Sequence, residues 1–148
     1  MEEFVKKPYP LYSVVFVIVC MCFFGFSVAY TRMHIAWARS LMCTLWAFLL
    51  VFASMNQGFL YPNIIVKILD ITICLSIMIL YAIVYYHTME WWHWVSGIIA
   101  SLVFLVTTVL FQKRMKVFQY VSFINVWHAW AMLQIFLVPY TLPEGSLI

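Results

Sequence analysis

Five apolar stretches, each about long enough to cross a bilayer hydrocarbon core of ~30 Å, take up most of this 148-residue chain. They run over residues 11–30, 40–61, 64–86, 95–111 and 117–138. In hydrocarbon every backbone N–H and C=O must find its partner within the protein, and a single stretch of about twenty residues does so only as a helix. Charged residues are only 9% of the chain against 67% hydrophobic, too few to cover a water-exposed surface. The expected fold is therefore all-α: a polytopic integral membrane protein of about five transmembrane helices in an antiparallel bundle with short loops. Residues 1–148 form one transmembrane domain, with no room for an aqueous one.

The breaks carry the topology. Lys6 and Lys7, an apolar run and then Ser27-Val28-Ala29 imitate a signal peptide with its cleavage site, but the run is longer than a signal core. It is expected to remain as the first span. Thr31 to Arg39 and the aromatic run His87 to Trp94 have the composition of membrane interfaces. Pro62-Asn63 separates the second and third stretches, and Pro139 and Pro143 predict an extended tail. Lys6, Lys7, Lys113, Arg114 and Lys116 fall on one side, with Lys67 able to snorkel towards it, and only Arg32 and Arg39 on the other. The positive-inside rule places the N-terminus on the cytoplasmic or equivalent side and the C-terminus opposite.

Polar residues inside the stretches are the pointers to mechanism. Lys67 and Asp70 stand three apart on one helix, so their side chains can meet. Asp70 lies about 9 Å inside the third span at 1.5 Å per residue and cannot snorkel far, so it needs a partner. The fifth stretch offers Ser122, Asn125 and His128, three apart and spread over about 120° of the helix. Counting rises, Ser122 and Asn125 lie about 8 and 12 Å deep. The leading expectation pairs Asp70 with Asn125 or Ser122 across spans three and five. The ordinary role of such a pair is a strut fixing helix rotation; the alternative is a proton or cation site. His128, near the midplane, is expected to donate to a carbonyl, with proton relay or metal or haem ligation as the sharper alternatives.

Other chemistry is thin. His34, His87 and His93, with Glu90, fall on the far side and could form an interfacial group, although anchoring of helix ends explains them more simply. Only His128 sits at the midplane, which disfavours an intrinsic bis-His haem. The four cysteines (Cys20, Cys22, Cys43 and Cys74) include no Cys-x-x-Cys pair and read as packing residues. Glycines are dispersed, so no phosphate loop exists, and no basic aromatic surface marks a nucleic-acid partner. Gly97 and Ser101 form a small-xxx-small pair of the kind that lets helices approach closely.

The functional expectation is a small integral subunit with a structural or assembly role in a larger membrane complex, without intrinsic catalysis. Its expected partners are the bilayer, bound lipid and other integral subunits. A haem or metal enters only if shared with a partner. The alternative is a small proton- or ion-coupled transport component using Lys67, Asp70, Asn125 and His128 as a path.

Overall fold

A computed structural model of the protein describes residues 11–86, 89–106 and 116–141, the last six of them by backbone alone. Five α-helices follow one another: α1 (Tyr12–Arg32), α2 (Ala36–Ala53), α3 (Ile64–Tyr85), α4 (Trp91–Val106) and α5 (Val117–Thr141). A π-helical turn, Ser54–Gly58, prolongs α2. No strand occurs among the described residues. Three helices, α1, α2 with its π turn, and α3, are long and apolar enough to cross a membrane; α4 is shorter.

Local chemistry sets the helix starts. Asn63, freed by Pro62, caps α3 by accepting the Ile65 N–H at 2.8 Å, satisfying one of the donors a helix leaves open at its first turn. At α4 the side chain of His93 reaches back and its Nδ1 accepts the Glu90 N–H at 3.1 Å. The Gln119 side chain does the same for the Lys116 N–H ahead of α5, also at 3.1 Å. Each is one half of a capping box, in which the side chain of the third helical residue satisfies the backbone N–H of the residue before the helix. The α2 end is more elaborate. The Phe59 N–H bonds the Ser54 carbonyl five residues back, and the Tyr61 N–H bonds Met55 six back, at 2.8 and 2.9 Å. Leu60 sits between them at φ 51°, the left-handed position of a helix-terminating turn that glycine normally takes.

Contacts along the chain make consecutive helices antiparallel. Gly58 accepts the Leu11 N–H at 2.7 Å, while three residues, Met33 to Ile35, join the other ends of α1 and α2. Asp70 meets Asn56 and Gln57, Ser101 on α4 meets Met78 on α3, and Trp127 on α5 donates to the Ala100 carbonyl on α4. Helix α1 packs on both α2 and α5, which closes the five helices into a ring. Two glycines allow the tight α1–α2 approach. A Cβ on Gly25 would overlap the Trp46 ring, and one on Gly58 would overlap Val15 Cγ2.

Buried residues follow a narrow seam. On α3 they are Val66, Asp70, Ile73, Ile77, Leu80, Val84 and Tyr85, the first six alternating four and three apart as in a coiled-coil stripe. The rest of the surface is apolar too: Phe16, Phe23, Ile79 and Leu102 are each more than half exposed. Hydroxyls on these outer faces turn back on their own helices. Thr31, Thr44 and Ser76 each donate to the carbonyl four residues earlier, at 2.7, 2.9 and 2.8 Å.

Helix boundaries depart from the sequence reading in three places. Helix α2 begins at Ala36, inside the segment expected as an interface, because the whole turn between α1 and α2 is made by Met33 to Ile35. Helix α4 begins at Trp91, four residues early, because the Glu90–His93 cap starts it there. Pro139, expected in an extended tail, lies in the last turn of α5. Residues 107–115 and 142–148, with the end of the fourth stretch, Lys113, Arg114 and Pro143, lie outside the described residues.

Candidate functional site

The polar centre is built around Asp70, a buried carboxylate at 2% exposure. Its Oδ2 accepts two amide N–H groups, from Asn56 Nδ2 at 2.7 Å and from Gln57 Nε2 at 2.8 Å. Adjacent residues of a regular α-helix point about 100° apart. Here both amides, carried by the π turn, converge on one oxygen. The Tyr120 hydroxyl of α5 then donates to the Gln57 carbonyl at 3.2 Å. Three helices thus meet at the turn.

Next to this clamp lies a cavity of about 170 Å³ bounded by α2, α3, α4 and α5. Asp70 and Gln57 line one end of it and His93 the other, with His128, Trp46 and Gln134 also on its walls. The remaining walls are aliphatic, aromatic and thioether groups such as Leu49, Ile77, Met78 and Phe104. Phe104 stacks on Trp127 with ring centroids 4.1 Å apart, and Trp127 meets His128 edge-on. Four lining side chains are each at most 4% exposed and hold a buried polar atom with no hydrogen-bond partner among the described residues: Trp46 Nε1, Gln57 Oε1, His93 Nε2 and His128 Nδ1. Unsatisfied buried polar atoms are uncommon, and several around one space call for an explanation.

The structure brings together only part of the expected polar group. Asp70 is buried as expected, but its partners are Asn56 and Gln57 rather than Asn125 or Ser122. Helices α3 and α5 do not pack on one another; the π turn and the cavity lie between them. Ser122 is exposed and Asn125 half-buried, because the 120° arc from Ser122 to His128 crosses the edge of the buried face of α5. The Asn125 Oδ1 is buried without a partner. Lys67 is half-buried and is not the partner of Asp70. His128 is almost wholly enclosed, at 1% exposure. The expected interfacial histidine group does not assemble: His34 is exposed, His93 points into the cavity, and His87 lies outside the described residues. Among the described residues no three His, Cys, Asp or Glu side chains gather as a metal site. Gly97 is not a close-approach position, since a Cβ there would meet nothing within 4 Å; it opens onto the cavity.

Asn56 and Gln57 are the functional residues that the sequence reading missed. A signal for them exists. In an antiparallel pair, residues equidistant from the turn share a level, and Gln57 and Asp70 are centred on the Asn63–Ile64 step.

No family model, curated protein or solved structure matches the chain. Its class therefore rests on fold and site: an all-helical protein with three helices long and apolar enough to cross a membrane, enclosing a partly polar cavity.

Proposed function

We propose that this chain is a polytopic integral membrane protein with five spans, serving as a small non-catalytic subunit of a larger membrane assembly. Lipid solvates its apolar outer faces, and the back-bonded hydroxyls of Thr31, Thr44 and Ser76 suit a solvent that offers no hydrogen bonds. The N-terminus lies on the cytoplasmic or equivalent side, as the lysine and arginine distribution requires. No nucleic-acid partner is implied.

One observation supports the subunit role over a self-sufficient bundle. Helix α4 buries only His93 and Phe104 of its 16 residues, while Ile98, Ile99, Leu102 and Val103 face outward. Without a hydrophobic drive between helices in lipid, such a loosely seated helix is held best by packing against another protein. Native mass spectrometry of the protein released from its own membrane in mild detergent tests this. The expected spectrum shows defined heteromeric masses, and the isolated chain loses helicity on heating well before the assembly does. A monodisperse single chain that keeps its full helicity in detergent would refute the role.

A second reading is favoured by one feature, the opening of the Asp70 clamp onto a cavity that also touches His128. Under it the chain conducts or couples protons or cations along the polar wall. Reconstituted into vesicles, the complex should then lose flux with Asp70→Asn while assembly survives. Flux unchanged by that substitution removes this reading.

A further inference from the structure

The cavity's polar atoms define what it would take. His93 Nδ1 accepts the Glu90 N–H, so its lone pair is engaged and the ring proton sits on Nε2. That Nε2–H is buried, has no partner among the described residues, and belongs to a side chain lining the cavity. The stacked Trp92 ring, 3.5 Å away between centroids, holds the imidazole in place. Trp46 Nε1–H, on α2, is a second such donor lining the cavity. A buried donor left unpaired is unfavourable, so a ligand oxygen that accepts from it is favoured over the same ligand without one.

Size and charge narrow the class further. An apolar cavity of ~150 Å³ holds one benzene ring, and this one measures about 170 Å³. Among the described residues no Lys or Arg lines it, whereas Asp70 does, which opposes an anion. The Asp70 oxygen facing the amides already accepts two N–H groups, and the walls are otherwise almost entirely apolar. That combination favours a neutral guest.

We propose that the cavity between α2, α3, α4 and α5 is a binding site for a neutral single-ring carbonyl compound, whose oxygen accepts from His93 Nε2–H. The apolar walls hold the ring, and any chain it carries leaves through the cavity's open side. Gly97 keeps the site open, because any larger side chain there would extend into it. The site stands apart from the subunit role: a subunit needs no ligand and a ligand-binding chain needs no partner, so either claim can fail by itself.

The test uses the full-length protein in lipid nanodiscs and fluorine NMR of 4-fluoroacetophenone, with 4-fluoroethylbenzene as the same ring without the oxygen. The expected result is a saturable bound resonance for the ketone, absent from empty nanodiscs, with affinity about tenfold above the hydrocarbon, the worth of one buried hydrogen bond. Gly97→Leu should abolish the resonance. His93→Phe, which keeps a ring but removes the donor, should bring the ketone down to the hydrocarbon's affinity. Both variants are checked for helicity by circular dichroism, and the wild-type comparison of the two probes stands without either. Equal affinities would make the cavity an apolar void only. No saturable resonance, or one surviving Gly97→Leu, would overturn the site. Tighter binding of 4-fluorobenzylammonium would overturn the ligand class in favour of a cation at Asp70.

Discussion

Replacing Asp70 by Leu removes the acceptor for two amides at once, and the structure bounds the cost. Gln57, 4% exposed, cannot redirect its Nε2 to solvent, whereas the half-buried Asn56 can. Side-chain hydrogen bonds inside membrane proteins contribute about 0.6 kcal/mol on average and about 1.7 at most, because the unfolded chain in lipid also finds partners. Bonds to charged groups in water-soluble proteins reach about 1.5–3 kcal/mol. Two bonds, one of them partly recoverable, place Asp70→Leu at about 1–3 kcal/mol. That figure mixes in the changed transfer cost of residue 70, which a double-mutant cycle with Gln57→Leu cancels because it enters both arms. Reversible unfolding in mixed detergent and dodecyl sulfate micelles, followed by far-ultraviolet circular dichroism, gives the four stabilities. The expected Gln57–Asp70 coupling is about 1 kcal/mol, with Asp70→Asn losing less than Asp70→Leu because an amide oxygen can still accept. Additivity within about 0.3 kcal/mol would show that the amide–carboxylate contact contributes nothing to the fold.

Three further perturbations test the packing around this centre. Gly25→Val should destabilise by about 1–3 kcal/mol through overpacking against Trp46, and Trp46→Leu in the same chain should recover part of that loss in the same unfolding assay. Gly58→Ala should behave alike towards Val15, with rescue by Val15→Ala; a loss that rescue leaves unchanged would point to the backbone instead. Tyr120→Phe removes the hydroxyl that donates to the Gln57 carbonyl and should cost about 0.5–1.5 kcal/mol. Faster hydrogen exchange is then expected at the Phe59 and Tyr61 amides of the turn, with exchange along α3 unchanged.

What the sequence disclosed was whatever depends on short range. The start of α3 at Ile64 follows from Pro62 and the Asn63 cap, and the start of α5 at Val117 matches its hydropathy. The burial of Asp70 and His128 follows from the cost of polar groups among apolar ones. The identity of Asp70's partner was hidden because depth counting treats all helices as neighbours. A ring of helices sets α3 and α5 on opposite sides of a cavity, and equal depth does not bring side chains together across it. His93 was misread for a related reason. Its flanking tryptophans look like an interfacial anchor, yet the capping bond to Glu90 turns the imidazole inward. Gly97 and Ser101 carry the small-xxx-small pattern of close helix approach, and here the same smallness leaves space beside α4.

The end of α2 shows why the polar centre is a constructed feature rather than a residue of poor packing. Three unusual local features coincide within seven residues: a π turn over Ser54–Gly58, a glycine at which any Cβ would overlap Val15, and Leu60 in left-handed backbone, worth about 1–2 kcal/mol of strain for a residue with a Cβ. From this turn Asn56 and Gln57 both reach the same Asp70 oxygen. Strained backbone that persists does so because surrounding contacts over-determine it, and here those contacts are the two amides on Asp70, the Tyr120 hydroxyl on the Gln57 carbonyl and the Leu11 amide on Gly58. Leu60→Gly separates strain from clamp. It relieves the left-handed cost but forfeits the partial packing of Leu60 on the core and adds unfolded-chain entropy of about 0.5–1 kcal/mol. The three nearly cancel, so global stability should move by less than about 1 kcal/mol. The Gln57–Asp70 coupling, measured by the same cycle, should stay as it was. A coupling that collapses in the glycine background would mean that the rigid leucine turn, and not the π geometry, aims the amides at the carboxylate.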